Sequence, residues 1–164
     1  MKSDHLGLKQ SAPRRQRGVA AIEFAIVFSV LFLGIYGLIT FCGVLYVQQV
    51  VSRAAEDGAR AAQFFRTDTS AADLQANVRT AIYRSLALSM ITPASEGSAP
   101  SSKETWLRTK MADIPPEVNL PPGEIVVKVT YPYRANPLLP PLPLTRSWMP
   151  DLLIGKATAV RSSS

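Results

Sequence analysis

The feature that most constrains this chain is an apolar run of twenty-four residues, Phe24 to Val47, without a single charged side chain. As an α-helix, with a rise of about 1.5 Å per residue, the run is roughly 36 Å long, enough to cross a hydrocarbon core of about 30 Å with some tilt. It therefore predicts a transmembrane helix. Glu23, which directly precedes the run, needs its own explanation, because a carboxylate in hydrocarbon costs roughly 2.5–3.5 kcal/mol.

The basic residues that precede the run predict its orientation. The chain has a formal net charge of +6, and residues 1–18 contribute +4 of it, from five basic residues and one aspartate. Lys and Arg beside a membrane segment stay on the cytoplasmic side, so in a bacterium we expect the N-terminus in the cytoplasm and the C-terminal region in the periplasm. A nucleic-acid surface would place its basic residues on one face of a folded domain, so we expect no nucleic-acid partner.

Residue types that support catalysis or metal binding are scarce. Cys42 is the only cysteine and His5 the only histidine, which excludes an intramolecular disulfide and leaves zinc sites and Cys–His or Ser–His catalysis without the groups they need. Asp113, Glu117 and Glu124 lie in or beside a proline-rich loop with no defining spacing, and we expect them to be solvated surface charges. The sequence thus predicts no enzyme, no catalytic residue, no metal and no cofactor.

Three kinds of cleavable signal compete with a retained anchor at the N-terminus. An ordinary secretory signal has a shorter apolar core, of about 7–15 residues, and then small residues at its cleavage site, whereas this run is longer and ends in bulky residues. A lipoprotein signal cut before Cys42 needs a small residue where Phe41 stands. Twin-arginine export would use Arg14 and Arg15, but the residues after them are not apolar. A processing site at Gly18 fits better than any of these.

Gly18 lies at the junction of the basic leader and the apolar run, and Glu23 is the fifth residue after it. This arrangement resembles the processing site of the type IV prepilin superfamily, in which a membrane-embedded aspartic peptidase cuts after the glycine on the cytoplasmic side and the apolar helix is retained. Within the superfamily, residues 17–62 resemble the TadE-like minor pilins (pseudopilins) of the Flp, or tight-adherence (Tad), pilus. The resemblance is carried by Arg17-Gly18, Glu23-Phe24, Gly43, Tyr46-Val47-Gln48-Gln49 and Ala54-Ala55-x-x-Gly58-Ala59-Arg60-Ala61.

The resemblance implies a role in pilus assembly. It implies a minor pilin that is cut between Gly18 and Val19 and takes part in biogenesis of a Flp-type type IVb pilus for surface adherence. The implied partners are prepilin peptidase, other pilins, the pilus assembly machinery and the inner membrane, with the extracellular pilus as a further location after assembly. Ser29 and Thr40 depart from the family pattern, which often has Pro and Glu there. The alternative is an uncleaved single-pass membrane protein with a periplasmic binding module.

Cleavage would give Glu23 a partner, because it creates a cationic amine on Val19. Residues 19 and 23 are an i, i+4 pair and share one face of a helix. The carboxylate can neutralise its own terminus or that of a neighbouring subunit. The resemblance favours the neighbour and assigns Glu23 and Phe24 to subunit assembly, while the other interpretation is a glutamate that only reaches the lipid headgroups.

A line of small side chains follows the same helix. Ala21, Ala25 and Ser29 recur at i+4, and Gly37 falls on the line beyond Leu33. Small residues at this spacing let helices approach closely in lipid. The line predicts a helix-packing face, with chance in an Ala-rich anchor as the alternative.

The helix is expected to continue past the membrane as an amphipathic segment, to residue 65. Its apolar seam has two interpretations that the sequence leaves open, packing on the chain's own distal domain or contact with other subunits. The seam consists of Val47, Val51, Ala54, Gly58, Ala61 and Phe65.

The distal region predicts one more helix and a small sheet. Residues Ser70 to Asp73 have the pattern of a capping box, which predicts the start of a helix with one buried stripe. We expect this helix to end at Pro93 and a loop to follow it. Residues 124–134 alternate as a half-buried strand that Pro132 pushes toward an edge, and residues 155–161 form a last strand paired with it. The stripe comprises Leu74, Val78, Ile82 and Leu86, and the expected aromatic core comprises Trp106, Trp148, Tyr131 and Tyr133.

The predicted fold class is α+β and pilin-like, with a long N-terminal helix that is transmembrane and then amphipathic, a second helix, and a small antiparallel β-sheet at the C-terminal end. Residues 1–18 are expected to be a cleaved cytoplasmic leader. Residues 19–65 form the long helix and residues 66–164 a periplasmic or extracellular domain. The proline-rich segment 137–143 is expected to be an extended crossover between two strands, with docking of a partner on a polyproline helix as the second interpretation.

Overall fold

A computed structural model describes residues 16–64, 70–142 and 149–160 of the chain, without the side chains of Gln16, Arg17 and Ala94. The leader up to residue 15, Phe65 and Trp148 lie outside these ranges. The elements confirm the predicted α+β class, with a long apolar N-terminal helix and a three-stranded antiparallel sheet near the C-terminus. In chain order they are α1 (Gln16–Gln63), α2 (Ala71–Ala87), a 3₁₀ turn (Ala94–Glu96), α3 (Pro100–Lys110), β1 (Glu117–Asn119), β2 (Glu124–Tyr131) and β3 (Leu153–Val160).

The chain divides into two compact units, Met1–Ile39 and Thr40–Ser164, and α1 contributes to both. In the first unit the described side chains of α1 are exposed, apart from partial burial at Tyr36 and Gly37. The second unit contains the hydrophobic core, built from α1 beyond Val47, α2, α3 and the sheet. The boundaries predicted at residues 18 and 65 remain predictions.

The amphipathic part of α1 packs on the second unit's own core. Val47, Val51 and Ala54 are fully buried there. A Cβ on Gly58 would lie 2.7 Å from Ile82 Cγ1 and 3.4 Å from Val127 Cγ1, so this glycine lets α1 approach both α2 and β2 closely. The structure thus decides between the two interpretations of the seam in this chain. Near the C-terminal end of α1, Ala62 is buried, whereas Ala61, which belongs to the predicted seam, is only half-buried.

Helix α2 begins as the sequence predicts. The Ser70 hydroxyl accepts a hydrogen bond from the Asp73 backbone N–H at 3.1 Å and donates one to Asp73 Oδ2 at 2.6 Å. The four residues of the predicted stripe are buried, together with Tyr83 and Ala87. The predicted end at Pro93 is wrong. The helix stops at Ala87, because the chain turns there and carries Ile91 into the core.

Replacing Ser70 with alanine is expected to lower the free energy of unfolding of the second unit by about 1 kcal/mol, the usual cost of an N-cap. Thr80→Ala is the matched control. Its exposed hydroxyl donates only to the Ala76 carbonyl of the same helix, at 2.9 Å, and caps nothing. Thermal unfolding of the full chain in detergent, followed by circular dichroism, compares the two variants. An equal effect of both substitutions would contradict the capping role.

Helix α3 was not predicted, and it corrects the expectation of a loop after Pro93. Pro100 occupies the first turn of the helix, where its fixed φ is favourable and its missing N–H costs nothing. Leu107, with Met111 just past the helix end, is fully buried, and the Arg108 guanidinium lies 4.5 Å from the centre of the Tyr83 ring of α2. The helix therefore closes one side of the core.

The strand order of the sheet is β1-β2-β3, with both pairs antiparallel. β2 is therefore the central strand, and the prediction that Pro132 moves it to an edge is wrong. Pro132 directly follows the last strand residue, Tyr131, so it ends the strand without removing a hydrogen bond from the ladder. The short strand β1 was not predicted, whereas the pairing of β3 with β2 confirms the prediction, with β3 starting two residues early.

Two tyrosines at the end of β2 and just after it are buried in the core. Tyr131 and Tyr133 are each 1% exposed. Burial raises the pKa of Tyr131 to about 12, and it also raises the pKa of Tyr133, an effect that the Leu138 backbone partly offsets. Both phenols stay protonated near neutral pH, and Tyr131 donates to the Asn136 carbonyl at 3.4 Å. Trp106 is half-buried and packs against the same core.

Candidate processing and assembly site

The predicted processing site lies near the N-terminal end of the described part of α1. The bond between Gly18 and Val19 falls within this helix, Gln16–Gln63. Glycine lowers helix stability by roughly 0.5–1 kcal/mol relative to alanine. Apart from its chain neighbours and the nearby helix backbone, no atom of the described residues lies within 4 Å of a Cβ placed on Gly18, and Val19 is 58% exposed. Both residues of this peptide bond are therefore exposed.

Glu23 and Phe24 follow one turn later, and both are exposed. Helical geometry brings Val19 and Glu23 to one face through the i, i+4 spacing. An amine formed at Val19 would have this carboxylate one turn away, on an open surface that a neighbouring helix can also reach. These four residues are brought together by the helix itself, without a tertiary contact.

The predicted helix-packing line is also open in the single chain. Ala21, Ala25 and Ser29 are exposed and Gly37 is half-buried. The Ser29 hydroxyl donates to the Ala25 carbonyl at 2.7 Å. Ser29 is the only polar side chain on the line, and this bond pairs its hydroxyl donor. The line can therefore face lipid or a second helix without an unpaired donor.

Beside this line runs an aromatic ladder that the sequence analysis missed. Phe24, Phe28, Phe32 and Tyr36 stack along the helix, with ring centroids 5.9, 6.3 and 6.1 Å apart. The ladder is offset from the small-residue line by one residue, or about 100° around the helix. The i+4 recurrence of aromatic residues was the signal for it. Phe24 is the first rung, so its side chain belongs to a continuous bulky face.

The described part of the second unit has a groove, and no catalytic cluster is found among its described residues. The groove, of about 590 Å³, lies between α1 and α2, and at its wall the Ser85 hydroxyl donates to Asp57 Oδ2 at 2.6 Å. Asp113, Glu117 and Glu124 are exposed and Glu117 pairs with Lys128 at 3.1 Å, as surface charges do. Among residues 16–64, 70–142 and 149–160, no three His, Cys, Asp or Glu residues converge as metal ligands would.

Within the described residues, α1 is the one helix whose length and composition suit a membrane span. Only 6% of its most apolar eighteen-residue window is buried, unlike a core helix of a soluble protein. The architecture is consistent with a single-pass membrane protein that carries a small α+β unit. Within this class, residues 18–60 match the family model described as TadE-like protein, and this match confirms the resemblance found in the sequence. No curated protein and no solved structure matches the chain.

Proposed function

We propose that this chain is a TadE-like minor pilin (pseudopilin) that is cut between Gly18 and Val19 and takes part in biogenesis of a Flp-type type IVb pilus for surface adherence. The observation that carries the proposal is the extent of the family match, which begins at Gly18 and continues through the amphipathic half of α1. The segment that matches therefore contains the cut, the carboxylate and the membrane helix in one stretch.

The proposed topology follows from the charges. The leader is held in the cytoplasm by its five basic residues, which presents Gly18 to a prepilin peptidase at the inner face of the membrane. The second unit is then periplasmic and becomes part of the extracellular pilus after assembly. Major Flp pilins are much shorter, so a chain with a folded distal unit fits a minor component. Its role is structural, and it is the substrate of the peptidase.

Glu23 is proposed to guide assembly through the new N-terminus. In the membrane the carboxylate is costly unless it meets a cation, and the amine on Val19 of a neighbouring subunit supplies one. At about 4 Å and an effective dielectric constant of about 20, such a pair attracts by about 4 kcal/mol before desolvation is counted. The small-residue line lies about 160° around the helix from Glu23, so it offers a second, separate face on which helices can pack closely.

The test of the proposal is the N-terminal sequence of the mature protein. When the chain is co-expressed with a prepilin peptidase, we expect a mature chain that starts at Val19, and Gly18→Phe should abolish the cut because a bulky side chain occupies the site. Gly34→Phe is the matched control, a glycine of the same helix that also has nothing within 4 Å of its Cβ position, and it should be processed normally.

Two results would contradict the proposal. Retention of Met1 in the unsubstituted chain would favour the uncleaved single-pass protein with a periplasmic binding module. A start near residue 50 would indicate an ordinary secretory signal and a soluble product.

A further inference from the structure

The second unit exposes a group of large apolar side chains beside one short stretch of α1. Beyond Leu45, the described residues carry seven exposed large apolar side chains. Phe64 and Val160 lie near the end of α1, where Gln63 Nε2 is 3.5 Å from the Val160 carbonyl. The other five define what we term the apolar collar: Leu88, Met90, Leu138, Leu152 and Ile154.

Three segments bring the collar to residues 43–48 of α1. The Met90 backbone N–H donates to the Tyr46 hydroxyl at 3.2 Å. A Cβ on Gly43 would lie 3.8 Å from Leu138 Cδ2, and Gln48 Nε2 donates to the Ile154 carbonyl at 2.8 Å. Tyr46 and Gln48 lie about 160° apart around the helix, so the collar approaches this stretch from opposite sides.

The same stretch is where the predicted membrane span of α1 ends. A span of about 20 residues that begins at Phe24 ends near Gly43. Tyr46 is the amphipathic aromatic residue that membrane interfaces favour, and Gln48 and Gln49 are the first polar residues after the uncharged run. The collar thus lies beside the part of α1 that follows the predicted span.

We propose that the apolar collar inserts into the outer leaflet of the bilayer and seats the second unit on the membrane. This inference rests on the membrane anchorage in the proposed function. Its partner is lipid, because the collar approaches α1 from opposite sides at the level where the predicted membrane span ends, and lipid meets both sides at that level.

The charges around the collar fit a headgroup layer. Lys103 lines the same cleft as Met90 and Leu138, and Arg84 lines the groove that contains Leu88. Both side chains carry the positive charge that anionic lipid phosphates attract. Asp151, next to Leu152, is paired with Arg134 at 2.8 Å, which offsets its charge at the membrane surface.

The experiment places a fluorescent probe at single cysteines of the full chain, reconstituted in vesicles of phosphatidylethanolamine and phosphatidylglycerol. Leu88→Cys and Met90→Cys, in a Cys42→Ser background, are labelled with an environment-sensitive dye and compared with Val160→Cys. The three side chains are similarly exposed in the protein, at 75%, 79% and 72%. We expect spin-labelled lipid to quench the dye at 88 and 90 and aqueous iodide to quench it at 160.

Each other outcome overturns the proposal in a distinguishable way. Iodide quenching at 88 and 90 equal to that at 160 would place the collar in water. Protection from both quenchers, with a signal that depends on the protein-to-lipid ratio, would place a second copy of the chain over the collar. The exposed native Cys42 reports on anchorage itself. If spin-labelled lipid quenches a dye at position 42 but not at 88 and 90, the proposal that the collar inserts into lipid is contradicted and the membrane anchorage stands. If only iodide quenches the dye at 42, the membrane anchorage is contradicted as well.

Discussion

Replacing Gly155 with alanine is expected to lower the free energy of unfolding of the second unit by about 3 kcal/mol, the upper part of the usual range for overpacking. A Cβ at this position would lie 2.5 Å from the Val51 carbonyl oxygen and 2.8 Å from Ser52 Cα. Both atoms belong to the backbone of α1 and cannot rotate away. To accept even one methyl group, β3 must move off the helix, and its contacts with the core are lost.

The control for this prediction is Thr158→Ala, an exposed position of the same strand, which should change stability by no more than about 0.5 kcal/mol. Gly58→Ala provides an internal comparison. The atoms it would meet belong mostly to the Ile82 side chain, which can shift, so we expect a smaller loss than at Gly155. Unfolding of the full chain in detergent by urea, followed by tryptophan fluorescence, measures all three. A Gly155→Ala variant as stable as the parent would refute the close contact between β3 and α1.

Replacing Glu23 with alanine is expected to abolish pilus assembly while leaving membrane insertion and cleavage intact. The substitution removes a charge that insertion does not need, since deleting it makes the segment more apolar. It also removes the proposed partner of the Val19 amine. Loss of even half of an attraction of about 4 kcal/mol weakens association between two subunits roughly thirtyfold. A pilus repeats this contact at every subunit, so the effect on assembly is larger still.

The comparison that isolates the charge uses two further variants. Glu23→Gln keeps the shape and should fail as alanine does, whereas Glu56→Ala, an exposed glutamate of the same helix outside the apolar run, should assemble normally. Surface pili are counted by electron microscopy, and cleavage is followed by the mobility of the mature chain. Normal piliation with Glu23→Ala would refute the assembly role, and loss of cleavage would indicate that the residue acts earlier, in recognition by the peptidase.

The elements that were predicted correctly are those whose signals are local. The Ser70 cap and the i+4 stripe from Leu74 to Leu86 lie within one helix, so their spacing alone defines where it starts and which face is buried. The alternation in β2 likewise predicts a strand. The alternation does not identify the neighbouring strands. Pro132 therefore suggested an edge strand, although it only ends β2.

The elements that were missed had weak local signals. Helix α3 has a serine pair and a polar surface, with Leu107 as its one buried residue, so no apolar stripe marks it. Strand β1 is three residues long and exists because Glu117, Val118 and Asn119 pair with β2. The aromatic ladder had a clear i+4 pattern, but within an apolar run every position is hydrophobic and the periodicity is easily overlooked.

By itself the sequence determined the long apolar helix and the spacing between Gly18 and Glu23, and it predicted a membrane orientation, because each depends on residues close together in the chain and on the fixed rise and turn of an α-helix. Only the tertiary structure decided that the seam of α1 faces its own core, that β2 is central and that Gly155 must be a glycine. The residues of the apolar collar lie near Gly43 to Gln48 only in the tertiary structure, because they come from segments far apart in the chain. No local sequence pattern predicts which distant segments will be in contact.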